Sequence, residues 1–174
     1  MTPFKTDSPI HDKKLPDAKG LIFGGGYPEL YVKELSENRS MREDILSAAK
    51  AGMPILAECG GFLYLQESLK DPDGVEREMV GLFTGKGSKK DKLQHFGYVT
   101  MSAASDNPYL LEDEEIKAHE FHYYDTSCNG DVCVLKKRSG ASWSGYQAVN
   151  KSFGGFAHLY YPSNVDFIRR FLLH

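Results

Sequence analysis

Short apolar runs that end at glycine or cysteine, alternating with stretches of helical apolar spacing, set the rhythm of the first third of the chain. Gly20-Leu21-Ile22-Phe23 reads as a buried strand that stops at Gly24-Gly25-Gly26, ahead of Tyr27-Pro28-Glu29. From Ser40 the spacing predicts a helix. Ser40-Met41-Arg42-Glu43 has capping-box spacing, Met41, Ile45, Ala48 and Ala49 share a face, and Gly52 with Pro54 ends it. Met53-Pro54-Ile55-Leu56-Ala57 then predicts a second strand, which breaks at Glu58-Cys59-Gly60-Gly61 and resumes with helical spacing to about Leu69. Strand, helix, strand, helix implies right-handed crossovers and a parallel sheet. Residues 1–19, polar and punctuated by Pro3, Pro9 and Pro16, read as an extended lead-in.

Beyond residue 70 the period shortens. Asp71-Pro72-Asp73-Gly74 is a turn, Met79-Val80-Gly81-Leu82-Phe83 a candidate strand, and residues 94–103 alternate like a half-buried strand. Further strands are predicted over 116–123, 132–136, 144–149 and 153–157, with turn signals at Asn129-Gly130-Asp131 and Ser139-Gly140. Ser163-Asn164-Val165-Asp166 again has capping-box spacing and leads a helix through Phe167, Ile168, Phe171 and Leu172. No repeat, low-complexity tract or linker interrupts the pattern, so the expectation is one domain over 1–174.

Composition narrows the class. With 174 residues, 41% apolar and 26% charged, the chain is an ordinary globular domain, and no apolar run approaches the ~20 residues that span a bilayer. The N-terminus lacks the apolar centre of a signal peptide. Three cysteines, Cys59, Cys128 and Cys133, are too few for a disulfide scaffold and fit a reducing cytoplasm. A net charge of −3 leaves no footprint for nucleic acid or an anionic membrane. The basic stretch Lys86-Gly87-Ser88-Lys89-Lys90-Asp91-Lys92 reads as a solvated loop.

The chemistry concentrates at Cys59. A cysteine at a strand–turn–helix junction sits where free N–H groups and the helix dipole favour an anion, and such a setting can lower a thiol from ~8.5 to roughly 3.5–7.5. Cys59 is therefore the candidate nucleophile, while Cys128 and Cys133 read as core. The glycine loop lacks every phosphate-cradling pattern, and around Lys86 the glycines stand at the wrong spacing, so no nucleotide site is read. Gly25, Gly26 and Gly60 are instead candidate backbone donors to a tetrahedral oxyanion, each worth ~2.7–4 kcal/mol in such a role. His158, closing the run Phe153-Gly154-Gly155-Phe156-Ala157, is the candidate base at a strand tip beside Cys59. In Ala118-His119-Glu120-Phe121-His122-Tyr123 the alternation looks broken by Phe121, and Glu120, His122 and Tyr123 are candidate substrate contacts. The spacing there is wrong for the helical zinc motif, and no metal site is assigned.

Four ordered blocks then carry a resemblance: Leu21-Ile22-Phe23-Gly24-Gly25-Gly26-Tyr27-Pro28-Glu29-Leu30, Ala57-Glu58-Cys59-Gly60-Gly61-Phe62-Leu63-Tyr64-Leu65, Leu93-Gln94-His95-Phe96-Gly97-Tyr98-Val99 and His119-Glu120-Phe121-His122-Tyr123. Together they resemble the glutaminase domain of the cobyrinic acid a,c-diamide synthase family, a branch of the triad-type glutamine amidotransferases. The resemblance implies an α/β, flavodoxin-like doubly wound, mainly parallel sheet with a strand-rich second half. It implies that Cys59 attacks the carboxamide of glutamine and that His158 moves the proton. Ammonia would pass to a separate synthetase domain that uses ATP and Mg to amidate the a and c carboxylates of a corrinoid. That ATP-binding domain is expected to be absent from this chain, which itself needs no cofactor, and the sheet is expected to lack the family's first strand and helix. Where the family has His-x-His and the wider class His-x-Glu, this chain has His158-Leu159-Tyr160, which makes Tyr160 the candidate third triad position. Two other readings stand beside this one: a catalytically idle glutaminase-like binding module, and an amidotransferase domain for another acceptor such as a nickel-tetrapyrrole or cell-wall precursor.

Overall fold

The computed structural model describes residues 9–173. Two sheets share the chain. The first, in the order β1 (Leu21–Phe23), β2 (Ile55–Glu58), β10 (Ser152–Gly155) and β9 (Gln147–Val149), is parallel across β1, β2 and β10 and closes antiparallel at β9. The second is larger and mainly antiparallel. Its spine runs β11 (His158–Leu159), β6 (Glu115–Thr126), β5 (Lys86–Ala103), β3 (Ser68–Lys70) and β4 (Glu76–Glu78). β7 (Cys133–Lys136) and β8 (Ser142–Gly145) extend it from the far end of β5. The fold is thus α/β, as expected.

β2 and β10 are apolar on both faces because both are covered, while edge strand β1 leaves Ile22 exposed. On one side, Ile55 and Ala57 of β2 pack with Val32 and Leu35 of α1 (Val32–Glu37), Met41, Ile45 and Ala49 of α2 (Arg39–Lys50), and α3 (Gly60–Leu65). On the other side, Leu56 and Phe153 meet Phe167 and Phe171 of α4 (Val165–Leu173) and the inner face of the second sheet. Met41, Ile45 and Ala49 fall on one face as their spacing predicts. The lead-in is fastened where it is described: Asn38, buried in the α1–α2 joint, donates through Nδ2 to the carbonyls of Pro9 and Asp12, both at 2.7 Å.

Several local expectations need correction. α3 ends at Leu65 rather than near Leu69, because Leu69 points into the core from β3 and its partner strand takes over the backbone bonds. Met79-Val80-Gly81-Leu82-Phe83 is largely buried but is no strand: its N–H groups bond back to residues 64–67 at the end of α3. The basic stretch 86–92 belongs to β5, where residues 87–89 pair with β6 before a break in register, Lys86 pairs with Glu76 at 3.0 Å, and the lysine side chains stay exposed. Tyr146, at φ 66°, splits the run 144–149 into β8 and β9. Neither helix uses the predicted cap. Ser40 bonds to Asn38 Oδ1, and Asn164 Oδ1, not Ser163, accepts from the Phe167 N–H at 3.0 Å. The alternation along β6 is unbroken: Glu120, His122 and Tyr124 face inward, and Phe121 and Tyr123 face out.

The glycines at the end of β1 and the start of α3 differ sharply in what surrounds them. A Cβ on Gly61 would collide with the backbone oxygen of Phe23 and lie 2.6 Å from its Cβ, whereas one on Gly24 would meet nothing within 4 Å. Gly61→Ala is accordingly expected to destabilise the fold by about 1–3 kcal/mol, and Gly24→Ala by less than about 0.5 kcal/mol, in urea unfolding. Equal losses for the two variants would contradict this packing.

Candidate active site

Cys59 stands at the step from β2 into α3, with φ 51° and ψ −108°. A side chain bearing a Cβ adopts such angles only where its surroundings hold it there. Its N–H donates to the Gly155 carbonyl of the neighbouring strand (2.9 Å), and its own carbonyl accepts from Leu63 (3.0 Å). The register of the parallel strands, Gly155 opposite Glu58, brings these groups level.

The glycine loop presses on this elbow. The Gly61 N–H donates to the Gly24 carbonyl at 3.0 Å, and a Cβ on Gly60 would stand 2.5 Å from the Gly26 oxygen. The loop's other flank lies on His158, whose imidazole occupies the space a Cβ on Gly25 would need. Among the described residues, neither the Gly25 nor the Gly26 N–H has a backbone acceptor, while the Gly60 N–H is directed at the Cys59 sulfur. The structure therefore brings Cys59, His158, Gly25, Gly26 and Gly60 into one small volume at the strand ends.

His158 opens β11 and pairs with His119 of β6. The run before it is held from below by Tyr146, whose ring underlies Gly155 and whose hydroxyl donates to the Ala157 carbonyl at 2.6 Å. Tyr160, the sequence candidate for a third group, is 59% exposed and its backbone leaves the strand. The carboxylate that faces His158 is Glu58, with Oε2 3.7 Å from Nδ1, a charge contact outside hydrogen-bond range. Glu58 is itself fixed, accepting from the Tyr161 hydroxyl (2.5 Å) and more distantly from the Leu159 N–H (3.4 Å). The sequence does carry a signal for Glu58, the single carboxylate ending an otherwise apolar strand. It carries none for Tyr161.

The electrostatics reverse one expectation. Burial pushes the Cys59 thiol up to about 11; the Gly60 N–H opposes this, and the carboxylates of Glu29, Glu120 and Glu58 add to it. The fields of three acids reach the sulfur where the sequence suggested only the helix N-terminus, and α3 is only six residues long. His158 moves the other way, held below its ordinary value by burial and by the fields of His119 and His122. The resting pair is thus thiol and neutral imidazole. Burial also raises Glu58, against the two hydrogen bonds it accepts. Cys133 is buried with its thiol pushed up to about 12, whereas Cys128 is only half-buried, not core.

The candidate substrate contacts divide. Glu120 and His122 lie inside, joined at 2.8 Å, while Tyr123 is on the opposite face of β6, half exposed in an aromatic row with Phe121. Among the described residues no helix is long and apolar enough to cross a membrane.

The sequence matches the family described as the CobB/CobQ-like glutamine amidotransferase domain over residues 4–164. Among its relatives, the cobyrinate a,c-diamide synthase of Caldanaerobacter subterraneus subsp. tengcongensis is 37% identical over 169 residues, covering 95% of this chain and 37% of that protein. The synthase of that name from Picrophilus torridus is 38% identical over 165 residues, covering 95% and 36%. The chain thus spans just over a third of the length of these curated relatives. A crystal structure of a glutamine amidotransferase superposes with a TM-score of 0.60 at 12% identity, covering 89% of this chain and 78% of that one, which speaks for the shared fold. With the match running through the glycine loop, the Cys59 elbow and His158, this chain belongs to the CobB/CobQ-like glutamine amidotransferase domain family.

Proposed function

We propose that the chain hydrolyses glutamine at Cys59 and hands the ammonia to an ATP-dependent synthetase domain that amidates the a and c carboxylates of cobyrinic acid. The observation that carries the first half is the elbow: a cysteine at φ 51° whose neighbour Gly60 lies against Gly26 of a donor-bearing glycine loop, with His158 packed on Gly25 of that loop. The second half rests on the named relatives, of which this chain covers about a third. ATP and Mg belong to the remainder of such a protein, and a cytoplasmic setting suits the free thiols.

In the proposed reaction, His158 takes the thiol proton as the Cys59 sulfur attacks the carboxamide carbon of glutamine. The carbonyl oxygen gains charge and is met by the N–H groups of Gly25, Gly26 or Gly60. The imidazolium then gives its proton to the nitrogen, the C–N bond breaks, and ammonia leaves a γ-glutamyl thioester. Water, deprotonated by the now neutral His158, attacks the thioester and releases glutamate and the thiol. Glu58 stabilises the imidazolium through space and limits its rotation, a role that a neutral Tyr160 hydroxyl fills less well.

Because the thiol starts protonated, free Cys59 should react with iodoacetamide at a rate that climbs about tenfold per pH unit from pH 7 towards 10. The sign follows from the raised value: thiolate accumulates only as pH approaches about 11. A plateau near pH 7 would mean a preformed thiolate and contradict the acidic surroundings.

Steady-state ammonia release from glutamine tests the roles, with folding checked by circular dichroism. Cys59→Ala should be inactive, and His158→Ala should fall by about 10²–10⁴-fold in kcat. Glu58→Gln should lose about tenfold or more in kcat, with KM little changed, while Tyr160→Phe stays near the parent. Parental activity in His158→Ala places the base elsewhere, and His122 is then the residue to test.

A further inference from the structure

Glu58 divides its two oxygens between two tasks. Oε1 accepts the Tyr161 hydroxyl at 2.5 Å and, at the longer 3.4 Å, the Leu159 N–H. Oε2, left free of those bonds, is the oxygen that stands 3.7 Å from His158 Nδ1. The last torsion of a glutamate side chain is soft, so a donor on one oxygen decides where the other points. The shorter bond has the length of a hydroxyl donating to a charged carboxylate. It is the stronger of the two holds.

Tyr161 is well placed to keep that hold. It opens the 3-10 turn Tyr161–Ser163, which is fastened to β6 on both sides: the Tyr160 N–H donates to the Lys117 carbonyl at 2.8 Å, and the Lys117 N–H donates to Ser163 Oγ at 2.8 Å. Its ring lies 6.1 Å from that of Phe167 on α4, at 24° between planes, and Phe167 is fully buried. Pinned at backbone and ring, the side chain has few directions in which to aim its hydroxyl. Burial pushes the phenol well above its ordinary value, with the Glu58 charge and hydrogen bond adding, so it remains a donor throughout any working pH range.

We propose that Tyr161 is a positioning residue for the glutaminase reaction: by engaging Oε1 of Glu58 it turns Oε2 towards the imidazole of His158. The inference rests on the glutaminase reading above, and Tyr161 acts through Glu58 without touching glutamine. It carries a pH signature. Burial raises Glu58, and the Tyr161 hydroxyl is the larger of the two bonds that oppose the rise. Without that hydroxyl Glu58 keeps its proton to higher pH, and a protonated Glu58 brings no charge to the imidazolium. Cys59 and Tyr146, which feel the Glu58 charge, and His119, His122 and Glu120, whose fields reach His158, are all retained when Tyr161 is changed. The acid side of the rate profile therefore moves upwards.

The test is the pH profile of ammonia release by Tyr161→Phe, which removes one oxygen and keeps the ring. The acid limb of kcat/KM should move up by about one pH unit, while the rate above that limb stays within about threefold of the parent. In a Glu58→Gln background, where no acid is left to hold, Tyr161→Phe should change the rate by less than about twofold. Carboxyl-carbon NMR reads the same group without turnover: the Glu58 signal, identified as the one that Glu58→Gln removes, should titrate at higher pH in Tyr161→Phe by a similar amount. Fluorotyrosine at this position, with the halogen ortho to the hydroxyl, is a stronger donor of nearly the same size. It should shift both readouts to lower pH, and it serves if Tyr161→Phe does not fold. A purely structural Tyr161 would lower the rate alike at every pH and leave both profiles in place. That result, or an equal loss in the Glu58→Gln background, overturns this inference alone. A parent that releases no ammonia at any pH overturns the glutaminase reading, and the role given to Tyr161 with it.

Discussion

Close approach of backbone to backbone at the ends of β1 and β2 is the constraint on which the rest of this molecule depends. Phe23 and the 24–26 loop lie so near the start of α3 that neither Gly61 nor Gly60 has room for a methyl group, and the loop's other side rests on the His158 ring. Side chains would hold these segments apart by the thickness of a Cβ. Glycine removes that spacer, and the hydrogen bond from Gly61 to Gly24 then closes the gap. Three pieces of chain that are distant in sequence thereby share one small volume.

The parallel register makes this approach reproducible. β2 is flanked by β1 on one side and β10 on the other, with Gly155 opposite Glu58, so loop, elbow and His158 segment all leave the sheet at one level. Covering both faces with separate apolar clusters fixes β2 in depth, and a slip of one residue would exchange the faces of Ile55 and Leu56. The strained angles of Cys59 are sustained by this frame, through its bond to Gly155 and the first turn of α3.

The frame is legible in the sequence where a physical rule is local. The ends of β1 and β2 at glycine and cysteine, the apolar face of α2, and the paired glycines of the elbow follow from periodicity and from the absence of a Cβ. What escapes depends on contacts far along the chain. Glu58 acquires its partners from residues about a hundred positions away, and no spacing rule links it to Tyr161. Burial of the Cys59 sulfur, with smaller contributions from Glu29, Glu58 and Glu120 on three separate elements, turns the expected depression of the thiol into an elevation. The inward face of β6 is hidden because a large aromatic at Phe121 looks like a break in the alternation, whereas it stands in an exposed aromatic row with Phe96 and Tyr123.

A thiol raised mainly by burial beside a histidine held low mainly by burial describes a resting pair that carries no charge. The central claim is that elbow, loop and histidine act as one site. A crystal structure of the protein after reaction with a glutamine-mimicking diazoketone tests it most directly. The account predicts a single adduct on the Cys59 sulfur, with its ketone oxygen about 2.7–3.1 Å from an N–H of the 24–26 loop or Gly60. An adduct on Cys128 or Cys133, or a Cys59 adduct whose oxygen lies in solvent away from the loop, would contradict it.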